Sequence, residues 1–247
     1  MILNVKPVKK LKGSIYLPAS KSYSIRAYFI GGCAKGSKII KASNCEDALI
    51  AKSLQVSIRK KSRVFNVGES GTSLRFLLPL LSFLGHDAVV KGKGTLVGRP
   101  NRHLCETLRQ HGMDIHGTGP QESVPIVYKG GTLKPGAIEI EGSLSSQFIS
   151  ALMIALPRLS HDSDMVITGK KLVSSDYIVM TKQILAKAGI RVSMPDQRII
   201  MIKGGQQLKP LNFHVPSDYG LAAFPMAAAA LLPSAVTLKG FFNDTLI

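Results

Sequence analysis

An internal repeat constrains the fold of this chain more than any other feature of its sequence. Each copy reads as a strand, a group of small polar residues, an apolar helix, a loop and a second strand. The copies cover residues 13–42, 63–92, 136–169 and 211–240. Because a recurring supersecondary unit buries its apolar face against its neighbours, the repeat predicts a fold of similar units packed together.

A second helix follows each of the first three copies, in stretches where apolar residues recur at i, i+3 and i+4. The stretches are EDALIAKSLQV, NRHLCETLRQHGMDI and SDYIVMTKQILAKAGIRV. The last two contain His-Gly or Ala-Gly just before a strand, which is typical of a helix C-terminus. The predicted unit is therefore β-α-β-α-β, with three complete copies and the opening half of a fourth.

The fourth copy is followed only by the segment GFFNDTLI. Its opening helix, predicted over residues 219–232, is almost wholly apolar. A helix that is apolar all round is expected to be buried on every side, and little of the predicted structure remains to cover it. We therefore expect this chain to be the front part of a longer protein whose C-terminal half is missing.

The charge of the chain indicates anionic partners. It has 32 Lys plus Arg against 15 Asp plus Glu, a formal net charge of +17, which suits either nucleic acid or small phosphorylated metabolites. The basic residues are dispersed, apart from short clusters near residues 9–12 and 59–63. Aromatic residues make up only 6% and include no Trp, so no basic-aromatic platform for stacking bases is present. Small phosphorylated metabolites are therefore the favoured partners.

The cysteines and histidines give no sign of a metal site. Cys33, Cys45 and Cys105 show neither CxxC nor metal-ligand spacing, and the six histidines are scattered. We expect free thiols in a reducing compartment, no metal and no cofactor. No apolar run approaches the roughly 20 residues of a membrane span, and the N-terminal apolar run is too short for a secretion signal. A cytoplasmic location without a membrane partner is therefore expected.

Small polar residues stand at the start of the predicted opening helix in every copy. Backbone N–H groups and the helix dipole favour an anionic ligand there, although serine, threonine and aspartate also serve as ordinary helix caps. Lys21, Arg26 and the pair Ser145-Ser146 exceed what capping requires, which favours an anion site. The four groups are Ser20-Lys21-Ser22, Ser70-Gly71-Thr72, Ser145-Ser146-Gln147 and Ser217-Asp218.

Five motifs occur in the order, and at nearly the spacing, of one family. They are LPASKSYSIRA, GESGTSLRF, GRPNRHL, EGSLSSQF and KLVSSDY. From about residue 13 to its C-terminus the chain resembles the EPSP synthase (3-phosphoshikimate 1-carboxyvinyltransferase) family. The resemblance implies an α/β (α+β) fold of repeated β-α-β-α-β-β units, helices inside and sheets outside. It also implies a three-unit domain at residues 20–215, with residues 1–19 and 216–247 forming an incomplete portion of a second similar domain.

The resemblance implies a reaction and a set of site residues. The family transfers the enolpyruvyl group of phosphoenolpyruvate to the 5-hydroxyl of shikimate 3-phosphate in the shikimate pathway of chorismate and aromatic amino acid biosynthesis. By motif position, Lys21 is implied to contact both substrates and to assist proton transfer, as a lysine among cationic neighbours can. The residues implied to bind shikimate 3-phosphate are Lys21, Ser22, Arg26, Ser145, Ser146, Ser174 and Tyr177. Those implied to bind phosphoenolpyruvate are Lys21, Gly71, Arg99 and Gln147.

Several positions depart from the family pattern or leave their role open. Glu69 stands where the motif usually has asparagine, which places a carboxylate near an anion site. Arg75 fits a structural role as well as a ligand contact, and Asp47 and Asp218 read first as helix-start carboxylates. The stretch VSIRKKSRVFNV replaces what is usually a longer strand pair, so the first unit is expected to be abbreviated. The family's general base, an aspartate, has no counterpart in the sequence.

Three alternatives differ in function class. UDP-N-acetylglucosamine enolpyruvyl transferase shares the fold and the donor, but it usually has a cysteine in the loop before Arg-Pro, where this chain reads GKGTLVGRP. RNA 3'-phosphate cyclase uses related units, but its histidine nucleophile motif is not visible. A non-catalytic domain that binds anionic phosphometabolites also fits, because the binding groups are present while half of the catalytic set is missing.

Overall fold

A computed structural model of the protein describes residue 4 and residues 6–240. The first copy of the repeat gives a strand, a buried helix, a short strand and an amphipathic helix. Acidic side chains in the first turn of this second helix, Glu46 and Asp47, complement the helix dipole. The elements are β1 (Leu11–Tyr16), α1 (Lys21–Gly32), β2 (Lys38–Ile40) and α2 (Glu46–Arg59).

The second copy forms a complete β-α-β-α-β-β unit, one strand longer than the repeat alone predicted. Its first two strands are parallel, and the last two join antiparallel, giving the sheet order β3-β4-β6-β5. The elements are β3 (Val64–Asn66), α3 (Gly71–Leu80), β4 (Ala88–Lys91), α4 (Arg102–Gln110), β5 (Met113–Gly117) and β6 (Ile126–Gly131).

The third copy repeats this topology with the sheet order β7-β8-β10-β9. Alternate residues of β8 are buried, so the sheet has one face on the core and one outward face. The elements are β7 (Ala137–Glu141), α5 (Ser146–Ala155), β8 (Ser163–Thr168), α6 (Ser175–Lys187), β9 (Val192–Ser193) and β10 (Ile199–Ile202).

The fourth copy provides β11 (Asn212–His214), α7 (Tyr219–Leu231) and β12 (Ser234–Lys239). Its strands exchange partners with those of the first copy. β11 pairs in parallel with β2, while β1 pairs in parallel with β12. The chain therefore crosses twice between the two sheets, and a bridge between Ala19 and Ser217 lies where the crossings meet.

The opening helices α1, α3 and α5 form the centre of the three units, as the repeat predicted. Each is buried along almost its whole length, and they pack on one another and on α6. Their second helices α2, α4 and α6 are amphipathic and bury one face. The sheets lie outside this helical layer, which confirms the mixed α/β fold with helices inside.

The fourth opening helix, α7, differs from the other three. It ends at Leu231 and packs on β12, but only Ala222 is buried, whereas Phe224 and Leu231 are 73% and 81% exposed. The expectation that little of the predicted structure covers this apolar helix is confirmed for the described residues, because its outer faces are exposed. The segment 241–247 lies outside the described residues. No helix among the described residues is long and apolar enough to span a membrane.

Candidate functional site

The starts of four helices meet at one cavity of about 290 Å³, called here the first cavity. It is lined by polar side chains and two apolar ones, and no carboxylate is among them. The lining residues are Lys21, Ser22, Arg26, Thr72, Leu144, Ser145, Ser146, Gln147, Val173, Ser174 and Tyr177. The geometry therefore brings together the helix starts that the sequence placed in separate copies.

The burial of the central helices shows how these starts are positioned. In α1 the unburied residues are Lys21 and Ser22, in α3 the unburied residue is Thr72, and in α5 it is Gln147. All four line the first cavity. Each central helix is thus fixed by its apolar body and exposes only its first turn, where free N–H groups favour an anion.

Serine side chains cap two of these helices. The Ser70 hydroxyl accepts a hydrogen bond from the Ser73 N–H, and the Ser145 hydroxyl accepts one from the Gln147 N–H. Ser174, which precedes α6, has φ of 53° and makes no side-chain capping bond. Its left-handed conformation is rare for a residue other than glycine and is often found at functional sites. The Ser174 hydroxyl is therefore not committed to a helix cap.

Arg26 is the most deeply buried cation of the first cavity, with 2% of its surface exposed. Its Nε donates to Thr181 Oγ1 at 2.8 Å, and one Nη donates to the Ser22 carbonyl at 3.2 Å. The guanidinium also lies 5.3 Å from the ring centroids of Phe76 and Tyr177. Burial lowers the pKa of Arg26 to about 10. No carboxylate within the described chain lies within 4.0 Å of it, so its charge is unbalanced.

Lys21 is half exposed, and its Nζ lies 3.1 Å from the Asp47 carboxylate. The expectation that cationic neighbours surround Lys21 is therefore wrong, because α2 brings a carboxylate to it. Asp47, interpreted from the sequence as a helix-start carboxylate, thus also orients the lysine. An exposed pair of this kind contributes little to stability and leaves Nζ free to turn toward a ligand.

A second cavity of about 370 Å³ adjoins the first and shares Leu144, Ser145 and Gln147 with it. It too lacks a lining carboxylate. Its remaining lining residues are Arg75, Arg99, Pro100, Arg102, His103, Gln121 and Phe148. Arginine pairs with phosphate or carboxylate groups through a planar set of donors, so this lining also suits an anion.

Arg75 and Gln147 join the two cavities. Arg75 Nη1 donates to Gln147 Oε1 at 2.6 Å, and Gln147 Nε2 donates to Thr72 Oγ1 at 3.1 Å. Arg75 is buried, lies 5.2 Å from the ring centroid of Phe148, and has its pKa lowered to about 10 by burial and then by the nearby Arg99 charge. Arg75 therefore has a structural role that fixes the orientation of the Gln147 amide.

Arg99 lies against the start of α3. A Cβ added at Gly71 would approach Arg99 Nη1 to 2.8 Å, so the absence of a side chain lets the guanidinium pass over the helix start. The segment around Arg99 is tied down by Asn101, which is fully buried. Asn101 Nδ2 donates to the Arg99 carbonyl at 3.0 Å, and its N–H donates to the Gln121 carbonyl at 3.1 Å.

Glu69 does not line either cavity. Its carboxylate accepts a hydrogen bond from the Thr95 N–H at 3.1 Å and packs against Gly94. The carboxylate therefore faces the turn that precedes Arg99, away from the anion site. Glu69, which stands where the family motif usually has asparagine, therefore stabilises the loop and adds no negative charge to either cavity.

Eight of the ten predicted site residues line the first cavity. Arg99 lines the second cavity, and Gly71 lies against the Arg99 side chain. Five polar lining residues were not among the ten: Arg75, whose role the sequence left open, and Thr72, Arg102, His103 and Gln121. Thr72 stood in the polar group of the second copy and Arg102 and His103 in the GRPNRHL motif, so a signal existed for these three. Gln121 lies between β5 and β6, and no sequence pattern indicated it as a site residue.

A family model described as EPSP synthase (3-phosphoshikimate 1-carboxyvinyltransferase) matches residues 36–247. The chain belongs to the EPSP synthase family. Lys21, Ser22 and Arg26 precede this match, but similarity to single proteins of the family extends over them. A 3-phosphoshikimate 1-carboxyvinyltransferase from Methanococcus maripaludis is 30% identical over 99% of this chain and 62% of its own length.

Other members of the family are similar over nearly the whole of this chain. The Methanosarcina mazei protein of the same name is 34% identical over 94% of this chain and 59% of its own length. A solved EPSP synthase from Acinetobacter baumannii superposes with a TM-score of 0.79 at 25% identity, over 95% of this chain and 56% of that one. The chain thus spans less than two thirds of the length of these EPSP synthases.

Proposed function

We propose that the protein contributes one wall of the active site that transfers the enolpyruvyl group from phosphoenolpyruvate to the 5-hydroxyl of shikimate 3-phosphate. The observation that carries the proposal is the pair of adjoining cavities without carboxylates, one of which holds the buried, unbalanced charge of Arg26. Both substrates are anions, and two adjoining anion sites are what a reaction between them requires. The proposed location is the cytoplasm, in the shikimate pathway.

The first cavity is proposed to bind shikimate 3-phosphate. Ser145, Ser146 and Ser174 supply hydroxyl groups and helix-start amides for the phosphate, with Tyr177 beside it. Arg26, with Ser22 next to it, is proposed to hold the carboxylate, since a substrate anion would replace the counter-charge that Arg26 lacks. This gain offsets the desolvation of the guanidinium only when the ligand is present.

Phosphoenolpyruvate is proposed to lie between Lys21, Gln147 and Arg99, over the start of α3 at Gly71. In the reaction, the 5-hydroxyl loses its proton as its oxygen bonds to the central carbon of the enolpyruvyl group. The bond from that carbon to the phosphate oxygen breaks, and phosphate leaves, carrying one proton in the overall balance. Arg99 and Lys21 stabilise the departing phosphate charge, and Lys21 assists proton transfer.

The described residues supply binding groups but no general base. Among the described residues, no carboxylate lines either cavity. We propose that residues 20–215 form one domain and that residues 1–19 and 216–247 belong to a second, which carries the base. This chain alone is expected to show negligible turnover. Adding a fragment that corresponds to the rest of its relatives' length should restore turnover, and appreciable turnover by the chain alone would contradict the proposal.

The direct test is a calorimetric titration of the chain with shikimate 3-phosphate. Saturable binding is expected, and Ser146→Ala should weaken it by about tenfold to a hundredfold because one hydrogen bond to a charged phosphate is lost. Ser160→Ala, in an exposed loop, is the matched control and should bind like the unaltered chain. Absence of binding by a folded chain, or equal binding by Ser146→Ala, would remove the assignment of the first cavity.

A second function fits the lining of the two cavities, which provides binding groups and, among the described residues, no carboxylate. A domain that binds a phosphorylated metabolite without catalysis would keep both cavities and need no base. Shikimate 3-phosphate binding together with no gain of turnover on complementation would support it. Affinity for an oligonucleotide that falls steeply with salt would instead indicate nucleic acid.

A further inference from the structure

The first unit lacks a strand pair that its two sister units possess. In the second and third units the second strand pairs on both edges: β4 with β3 and β6, and β8 with β7 and β10. Among the described residues, β2 of the first unit pairs with β11 alone. The cause is the short link after α2. Residues 60–63 connect α2 to β3, whereas residues 111–136 follow α4 and residues 188–211 follow α6.

The free edge of β2 carries unpaired backbone groups. Lys38 N–H donates to the Leu211 carbonyl, and Val215 N–H donates to the Ile40 carbonyl, so residues 38 and 40 direct their hydrogen bonds toward β11. Because backbone direction alternates along a strand, the N–H and C=O of Ile39 point to the opposite edge. Neither group has a hydrogen-bond partner among the described residues.

At the end of α1, an arginine side chain satisfies carbonyl groups beside this edge. The Arg59 guanidinium donates to the carbonyls of Gly31, Gly32 and Ala34 at the end of α1. These bonds satisfy helix carbonyls but supply no strand to β2. The Arg59 hydrogen bonds therefore satisfy the backbone groups at the end of α1. The outer backbone groups of β2 have no such partner among the described residues.

Exposed cations lie near the free edge in the sequence. Some are on β2 or next to it, and others are on the link that replaces the strand pair. No acidic residue lies within residues 35–43 or 57–63. The exposed cations of these two segments are Lys35, Lys38, Lys41, Arg59, Lys60, Lys61 and Arg63, of which Arg63 pairs with Asp87. Lysines on an edge disfavour pairing with a second copy of the same chain, since two such clusters would repel each other. The same charge favours an acidic strand.

We propose that the free edge of β2 is a docking site for an acidic, extended segment of a partner protein, which adds to the sheet as an antiparallel strand. Two backbone hydrogen bonds to Ile39 would provide the register, in the position that β6 and β10 hold in the sister units. Acidic side chains on the outward face, which Lys38 shares with Ile40, would pair with Lys38. Apolar side chains, on the opposite face, would lie beside Ile39. This inference is independent of the proposed reaction.

The test uses the full chain and a fluorescent peptide of four Glu-Val repeats, monitored by anisotropy and by amide hydrogen exchange. Saturable binding is expected, with at least about tenfold slower exchange of the Ile39 amide in the complex. Affinity should fall with added salt, and the Lys-Val analogue should not bind. Lys38→Glu should weaken binding about tenfold, whereas Lys129→Glu, an exposed lysine on the paired strand β6, should not change it.

Three outcomes would overturn the proposal. The first is absence of saturable peptide binding, and the second is binding that Lys38→Glu leaves unchanged. The third is an Ile39 amide already protected in the free chain, which would mean that the edge is covered by the chain itself. Concentration-dependent dimerisation that is lost in Lys38→Glu would assign the edge to a second copy and would also contradict an acidic partner.

Discussion

The two adjoining cavities carry arginines in opposite environments. Arg26 in the first cavity is 2% exposed, belongs to the body of a central helix and pays a desolvation cost that lowers its pKa to about 10. Arg99 in the second cavity is exposed and belongs to a loop that Asn101 and Glu69 hold in place. One anion site is therefore built into the core of the fold, whereas the other depends on a loop that packs on this core.

The largest expected effect is on binding in the first cavity. Arg26→Met should weaken shikimate 3-phosphate binding by about a hundredfold or more, because the substrate loses its buried charge-assisted hydrogen bonds. Arg99→Met should leave this affinity within about threefold. Isothermal titration of both variants measures the difference. Equal losses would show that the cavities do not separate the two arginines in function.

The same pair of variants should separate in stability. Burial lowers the folded-state pKa of Arg26 to about 10, so folding disfavours its charged form, and this cost is fully present at neutral pH. An apolar side chain of similar volume removes this cost, and Arg26→Met should therefore raise the free energy of unfolding by about 1–3 kcal/mol. Arg99→Met should stay within about 0.5 kcal/mol. Urea unfolding of the two variants gives both numbers, and a destabilised Arg26→Met would contradict the reasoning.

A smaller effect is expected where the second cavity meets α3. Gly71→Ala places a Cβ 2.8 Å from Arg99 Nη1, so the guanidinium must move away from the helix start. Phosphoenolpyruvate affinity, measured at saturating shikimate 3-phosphate, should fall about tenfold, while shikimate 3-phosphate affinity is retained. Thr72→Ser, which keeps the hydroxyl beside Gln147, is the control. An unchanged Arg99 position in a crystal structure of Gly71→Ala would refute the contact.

The smallest expected effect is on the free energy of unfolding and comes from the loop that contains Glu122. Glu122 binds Arg109 through two hydrogen bonds of 2.7 and 2.8 Å, and the hydrogen bond from Arg109 lowers the pKa of Glu122. The resulting stability is present above the ordinary glutamate pKa of 4.5 and is lost as pH falls through the lower folded-state pKa.

Glu122→Gln should therefore reduce the free energy of unfolding by about 1 kcal/mol at pH 7 and should converge with the unaltered chain in acid. Urea unfolding between pH 3 and pH 7, at roughly unit steps, measures this. Glu139→Gln, on the exposed face of β7, is the control and should show no such convergence. A constant difference across the pH range would exclude Glu122 as its source.

Local patterns predicted much of the candidate site. The polar groups before α1, α3 and α5 put Lys21, Thr72, Ser145 and Ser146 at helix starts, where N–H groups are free, and the structure brings these starts to one cavity. The environment of Lys21 was predicted wrongly. Asp47 reaches it from another helix, and pairing between helices depends on packing that no single motif encodes.

Short-range periodicity and capping predict the number of units, the buried opening helix of the first three and the polar residues at the start of each helix. The pairing of β1 with β12 and of β11 with β2 comes from tertiary packing instead, since strands of equal pattern do not specify their partners. Tertiary packing also brings Arg75 to Gln147, across 72 positions of sequence. Contacts of this range form when helices pack, and the order of residues along the chain does not reveal them.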